Sequence, residues 1–223
     1  MAIEKNENLQ RLRRFMQISQ SEKNTPQLTI TINAVIDAVW HALRHKEKLM
    51  QWHGWATPSL EDEINTIYFT DVKEETDDVQ KYKLVVNGGD TFILKSDQDA
   101  TNLTLVRAGL SGNIEWDAYY GNITEGWVSF IEQLRFLLEH SPKIPRKTTF
   151  NKKKLVREEI ISQLNLSDLT EGTKFKGQLE GEMLSGEVWF NTLNQLGLVV
   201  NDWGPGLSII QFSENCCIDT EFK

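Results

Sequence analysis

The chain has 223 residues, of which 39% are hydrophobic and 25% charged, and its seven Trp and ten Phe supply enough large apolar side chains for a core, which excludes a disordered chain. Its 24 Lys and Arg against 32 Asp and Glu leave a net charge of −8, a balance that repels a phosphate backbone and an anionic membrane surface. The two cysteines, Cys216 and Cys217, are adjacent, and side chains of neighbouring residues in an extended chain point to opposite faces, so no disulfide framework is expected.

Residues 1–20 mix Glu4, Lys5, Glu7, Arg11, Arg13 and Arg14 with apolar residues and lack the apolar run of a signal peptide. No stretch approaches the length of a membrane span, and a cytoplasmic protein is expected. Leu9, Leu12 and Met16 recur at helical spacing, which predicts an amphipathic helix over Glu4–Ser19 within an N-terminal segment 1–25. Gln27–Ile32 alternates Leu28, Ile30 and Ile32 with Thr29 and Thr31, the period of a half-buried strand. Asn33 is the expected N-cap of a helix over Ala34–His45, in which Val35, Ile36, Val39, Trp40 and Leu43 share one face. A short helix follows over Lys46–His53 and ends at Gly54.

Strands are expected at Thr66–Thr70, Lys81–Val86, Thr91–Lys95 and Asn102–Arg107, with a tight hairpin at Asn87-Gly88-Gly89-Asp90. Connections this short imply an antiparallel meander. Asn122-Ile123-Thr124-Glu125 has the form of a capping box opening a helix to about His140, whose apolar face carries Trp127, Phe130, Ile131, Leu134 and Leu138. The first domain is thus expected over 26–141. A linker over 142–149 precedes a strand-rich C-terminal unit over 150–223, with a helix at Lys153–Leu164 and strands at Lys174–Leu179, Glu182–Phe190, Leu196–Val200, Leu207–Phe212 and Cys216–Phe222. No helix follows Phe212 to cover this sheet, so the unit is expected to depend on other apolar surface, and an uncovered edge would favour a homodimer.

The segment Thr29-Ile30-Thr31-Ile32-Asn33-Ala34-Val35-Ile36-Asp37-Ala38-Val39-Trp40-His41-Ala42-Leu43, followed by Glu47-Lys48-Leu49-Met50-Gln51-Trp52, resembles the opening signature of the activator-of-Hsp90-ATPase homologue family within the START/Bet v1-like (SRPBCC) superfamily. Gly126-Trp127 leading into Ile131, Leu134 and Leu138 resembles that family's closing helix. The resemblance implies an α+β helix-grip fold, an antiparallel sheet wrapped around a long C-terminal helix. Gly172-Thr173-Lys174-Phe175 and Ser185-Gly186-Glu187-Val188 resemble the glycine-rich strand text of the same family, so the C-terminal unit is read either as a partial second copy or as a strand extension. The family holds co-chaperone domains and proteins that bind lipids or polyketides, so fold alone leaves the function open.

Candidate chemistry is sparse. His41 and His45 stand four apart but lie opposite the apolar face, with Ala42 where a zinc protease has glutamate, so neither a metal nor a cofactor is assigned. His53 is expected to bond a carbonyl at its helix end. Cys216-Cys217 lacks a neighbouring base, and Glu74-Glu75, Asp77-Asp78 and Lys152-Lys153-Lys154 read as hydrated surface. Tyr82, Phe92, Trp116, Trp127 and Phe130 are the expected lining of a space between sheet and long helix, with the polar groups of Tyr82 and Trp116 as orienting groups. The expected function is therefore non-enzymatic binding of a small apolar ligand. The alternatives are an Hsp90-type co-chaperone, implied by the resemblance, and a polyketide cyclase or dehydratase, which would need a polar pair inside the cavity.

Overall fold

A computed structural model describes residues 16–21, 25–76, 81–140, 146–153, 156–204, 206–212 and 217–222. The chain divides into two compact units, Met1–Ser141 and Pro142–Lys223. Most of the expected N-terminal helix lies outside the described residues, and Gln17–Gln20 form an edge strand, β1, in place of its last turn.

In the first unit β2 (Pro26–Ile32) leads into three helices, α1 (Ile36–Arg44), α2 (Lys46–Trp52) and α3 (Leu60–Phe69). A meander of β3 (Lys73–Thr76), β4 (Lys81–Val85), β5 (Thr91–Asp97) and β6 (Ala100–Val106) follows. The sheet order is β1-β2-β6-β5-β4-β3, all neighbours antiparallel, so the last meander strand returns to pair with β2. A short helical turn, α4 (Ile114–Asp117), and the long α5 (Tyr120–His140) complete the unit. This is the α+β helix-grip arrangement, with α5 packed on β2, α1 and α2.

The alternating pattern fixes the register. Leu28 sits opposite Leu105, Ile30 opposite Leu103, Leu94 opposite Leu103, and Phe92 opposite both Leu105 and Leu84. All seven are buried, and this is the face the helices cover. The opposite face carries Thr29, Thr31, Asn102 and Thr104, joined across the strands by a Thr29–Thr104 hydroxyl pair at 3.2 Å and Thr31 Oγ1 donating to Asn102 Oδ1 at 2.7 Å. The β4–β5 hairpin turns at Gly88 and Gly89, both at φ near +90°, where a side chain would be strained.

Several local expectations give way to tertiary contacts. Thr66–Thr70 is not a strand: Leu60, Ile64 and Tyr68 are buried at a spacing of four, and Glu61, Asp62 and Glu63 favour the helix start, so the segment is α3. Asn33 does not cap α1. Its backbone N–H goes to Glu139 Oε1, the helix begins two residues later than expected, and Val35 is exposed ahead of it. Asn122 lies inside α5, which starts at Tyr120 after Asp117 has taken the N–H groups of Ser111 and Gly112. Glu74 and Glu75 lie on β3, not in a turn, and pair with Arg44 and Lys83, while Asp77 and Asp78 fall outside the described residues.

In the second unit β7 (Thr148–Lys153) occupies the expected linker end and helix start, and α6 (Arg157–Gln163) begins later than expected. Lys152 and Lys153 are therefore in a strand, because β7 pairs with β12 (Cys217–Phe222). The remaining strands are β8 (Lys174–Leu179), β9 (Glu182–Asn191), β10 (Gln195–Val200) and β11 (Gly206–Gln211). Their order, β7-β12-β11-β10-β9-β8, brings the last strand back to the first, with the helix at the crossover, whereas β6 of the first unit returns to β2. α6 contributes Ile160 and Leu164 to a core with Phe175, Leu184, Val188 and Leu198. No helix follows β12 among the described residues.

Candidate functional site

The helix pair α2–α3 brings together residues that stand far apart in polarity. α2 ends at Trp52, whose indole N–H donates to the Ala42 carbonyl at 2.9 Å, and Gly54 at φ +58° turns the chain toward α3. A Cβ on Gly54 would lie 3.0 Å from Leu60 Cδ1, so this close turn favours glycine twice over. Between Trp52 and Gly54 the His53 ring points inward and is 1% exposed.

Tyr68, the penultimate residue of α3, is fully buried, and its hydroxyl lies 3.1 Å from His53 Nδ1. On the other side of the ring, His53 Nε2 lies 3.2 Å from Glu63 Oε1. Glu63 keeps 43% of its side chain exposed, so the line Glu63–His53–Tyr68 runs from solvent into the interior. The α3 end that carries Tyr68 is held by tertiary donors. Arg44 donates to the Tyr68 carbonyl at 2.8 Å, and the Asn87 backbone N–H donates to the Ile67 carbonyl at 3.0 Å, satisfying acceptors that a helix end leaves open.

Electrostatics set the resting protonation of the line. Burial pushes the Tyr68 phenol well above the ordinary tyrosine range, and the carboxylates of Asp90 and Glu63 push it further. Tyr68 is therefore a neutral hydroxyl and a donor. The hydrogen bond from His53 holds the Glu63 carboxyl below its ordinary value, so Glu63 is an anion and an acceptor. In the tautomer whose Nε2–H donates to Glu63, Nδ1 is the acceptor for the Tyr68 hydroxyl.

Aromatic rings enclose this line. His53 lies 5.1 Å from Phe130 and 5.6 Å from Trp127, Phe92 lies 5.5 Å from Trp127, and Trp55 lies 5.5 Å from Phe130. Phe92 and Trp127 are buried, whereas Phe130 and Trp55 are half-buried, so the cluster reaches the surface on their side. A second polar group closes the sheet end. Arg107 Nε donates to both Asp90 carboxylate oxygens at 3.0 Å, its NH1 donates to Thr124 Oγ1 at 2.8 Å, and its guanidinium stacks 4.8 Å over Tyr120. These bonds tie the start of α5 to the β4–β5 hairpin.

Of the five residues singled out from the sequence, Phe92, Trp127 and Phe130 meet in this cluster. Tyr82 lies elsewhere, stacked at 5.0 Å on Trp40 with its hydroxyl donating to Asp37 Oδ1 at 2.9 Å. Trp116 belongs to α4, and its side chain lies outside the described residues. His53 bonds Tyr68 and Glu63, not the carbonyl expected at its helix end. His41 and His45 are exposed and stack with ring centroids 3.5 Å apart. Among the described residues no three His, Cys, Asp or Glu side chains are grouped to hold a metal, and no helix is long and apolar enough to cross a membrane.

No family model matches the chain, and no curated protein matches it. Among solved structures it is similar to DynU16, a protein of the dynemicin biosynthetic locus, at 14% identity over 88% of this chain and 85% of that one, with a TM-score of 0.33. It is also similar to a protein from Arthrobacter aurescens solved by NMR, at 13% identity over 57% of this chain and 92% of that one, with a TM-score of 0.35. A third likeness is to the di-domain ARO/CYC StfQ of the steffimycin biosynthetic pathway, at 6% identity over 88% of this chain and 82% of that one, with a TM-score of 0.33.

Proposed function

We propose that the first unit binds a small, largely apolar ligand between its sheet and long helix, at the aromatic cluster of Phe92, Trp127 and Phe130. The observation that carries this reading is the buried His53–Tyr68 pair inside that cluster. An apolar interior that contains a hydrogen-bonding pair can both shelter a ring and orient its polar group. The half-buried Phe130 and Trp55 give the ligand a side from which to approach. Native mass spectrometry of freshly purified protein tests the proposal: a co-purifying small molecule, lost on mild denaturation, is the expected result. A protein that is empty, and whose tryptophan fluorescence does not respond to added bicyclic aromatics, would refute it.

A cyclase-like or dehydratase-like activity is the second reading, and the Glu63–His53–Tyr68 line favours it, since such chemistry needs a polar pair in the interior. The co-chaperone reading rests on the resemblance of Thr29–Trp52 to the Hsp90-activator family alone, and its test is the effect of the protein on Hsp90 ATPase rate. We further read the C-terminal unit as an incomplete second copy of the helix-grip fold. What supports it is the strand order, in which the last strand of each sheet returns to an early one, β6 to β2 in the first unit and β12 to β7 in the second.

A further inference from the structure

We propose that Glu63, His53 and Tyr68 form a proton-transfer line ending at the Tyr68 hydroxyl, and that the ligand it serves is a ring-bearing molecule with an ionisable hydroxyl or an enolisable carbonyl. The inference deepens the ligand-binding reading and rests on it. Three features of the line go beyond what a packed core requires. It contains a base, His53, of the one side-chain type that titrates near neutral pH, placed between a carboxylate and a phenol. Its outer end is 43% exposed and its inner end fully buried, so a proton taken up inside can leave to solvent. Among the described residues, His53 is the only hydrogen-bond partner of the Tyr68 hydroxyl, which leaves that oxygen able to accept from a ligand.

The step balances without a co-reactant. The ligand's O–H or activated C–H bond breaks and its proton goes to the Tyr68 oxygen. In the same movement the former Tyr68 proton passes to His53 Nδ1, which leaves a ligand anion and an imidazolium. Burial disfavours a free phenolate at Tyr68, so the two transfers are concerted. The imidazolium is held by the Glu63 carboxylate across Nε2–H, and reversal of the same two transfers protonates the ligand anion. Asp90 also acts on Tyr68, and it pairs with Arg107 at 3.0 Å. Of the two carboxylates, Glu63 is the one hydrogen-bonded to His53, so it sets the line's direction. The rings of Phe92, Trp127 and Phe130 select the ligand class, because they offer faces and edges at stacking distance rather than donors.

The test compares 2-naphthol with 2-methoxynaphthalene, the same ring without the ionisable proton, and follows the absorbance of bound naphthol against pH. Burial in an apolar site alone would raise the naphthol pKa, whereas the line lowers it, so the sign is diagnostic. The expected result is a fall of about one unit or more on binding to the wild-type protein, a tenfold rise in the ionised fraction. That fall should vanish in Tyr68→Phe and His53→Gln and shrink in Glu63→Gln, the last being a half-exposed position that leaves the core intact. Naphthol binding with an unchanged or raised pKa, or a fall that survives both core variants, would overturn the line while leaving ligand binding in place. Failure of both naphthalenes to bind would overturn the ligand-binding reading, and this inference with it.

Discussion

Removing the Tyr68 hydroxyl isolates the inner hydrogen bond of the candidate site. Tyr68→Phe keeps the ring, which packs 6.3 Å from Phe92 and 6.1 Å from Trp52, and removes only the donor 3.1 Å from His53 Nδ1. A net hydrogen bond is worth about 1 kcal/mol, and a buried acceptor deprived of its donor adds roughly another, so the expected loss is about 2 kcal/mol. For a unit of this size each kcal/mol moves the melting temperature by roughly 3 °C, which gives a fall of about 6 °C. Urea unfolding followed by tryptophan fluorescence measures the same loss as a shift of about 1 M in midpoint. Combining the change with His53→Gln in a double-mutant cycle should return a coupling of about 1 kcal/mol, because the two residues share one bond. Losses that add without coupling, or a Tyr68→Phe protein within about 0.5 kcal/mol of wild type, would show that the hydroxyl and imidazole do not meet in the folded protein.

Glu63 links stability to pH with a definite sign. Its folded pKa lies below the ordinary 4.5, so its contribution is present above that value and is lost as pH falls through the folded pKa. Wild type should therefore be more stable than Glu63→Gln at neutral pH, and the two denaturation midpoints should converge as pH falls below 4.5 and through the lowered folded pKa. A gap that persists after Glu63 is protonated would contradict the hydrogen bond to His53. In the second unit, a Cβ on Gly177 would lie 2.1 Å from the Gln163 carbonyl oxygen and 2.5 Å from Leu164 Cα, and backbone cannot swing aside as a side chain does. Gly177→Ala should cost about 3 kcal/mol in chemical denaturation, at the upper end of overpacking effects, and an unchanged midpoint would mean that α6 does not end against β8.

The alternation of Leu28, Ile30 and Ile32 with threonines, the paired alternation in β5 and β6, and Gly88-Gly89 between β4 and β5 determine the antiparallel meander from the sequence alone. Each is a local signal: a side chain's face follows from its parity, and a turn's hand from its glycines. The return of β6 to β2 and the long helix with its apolar face complete the helix-grip reading, because so broad a stripe on α5 needs a sheet to cover. Helix ends were not legible in the same way. Asn33 and Asn122 carry capping chemistry, yet α1 starts beyond the first, whose backbone N–H donates to Glu139, and an earlier start of α5 absorbs the second. The site was half legible. Phe92, Trp127 and Phe130 could be picked out because apolar rings on core faces converge wherever a sheet meets a helix. Tyr82, an equally good candidate by type, goes to Asp37 and Trp40, since parity chooses a face but not a position along it. His53, Glu63 and Tyr68 gave no shared signal, being ten and five residues apart on two elements, one of which has the β-rich ending Ile67-Tyr68-Phe69 of a strand. The buried spacing of Leu60, Ile64 and Tyr68 makes that segment a helix, and only the packing of α3 beside α2 brings a carboxylate, an imidazole and a phenol into one line. Such contacts depend on how two amphipathic elements dock, a property of their complementary surfaces and not of either segment's own period.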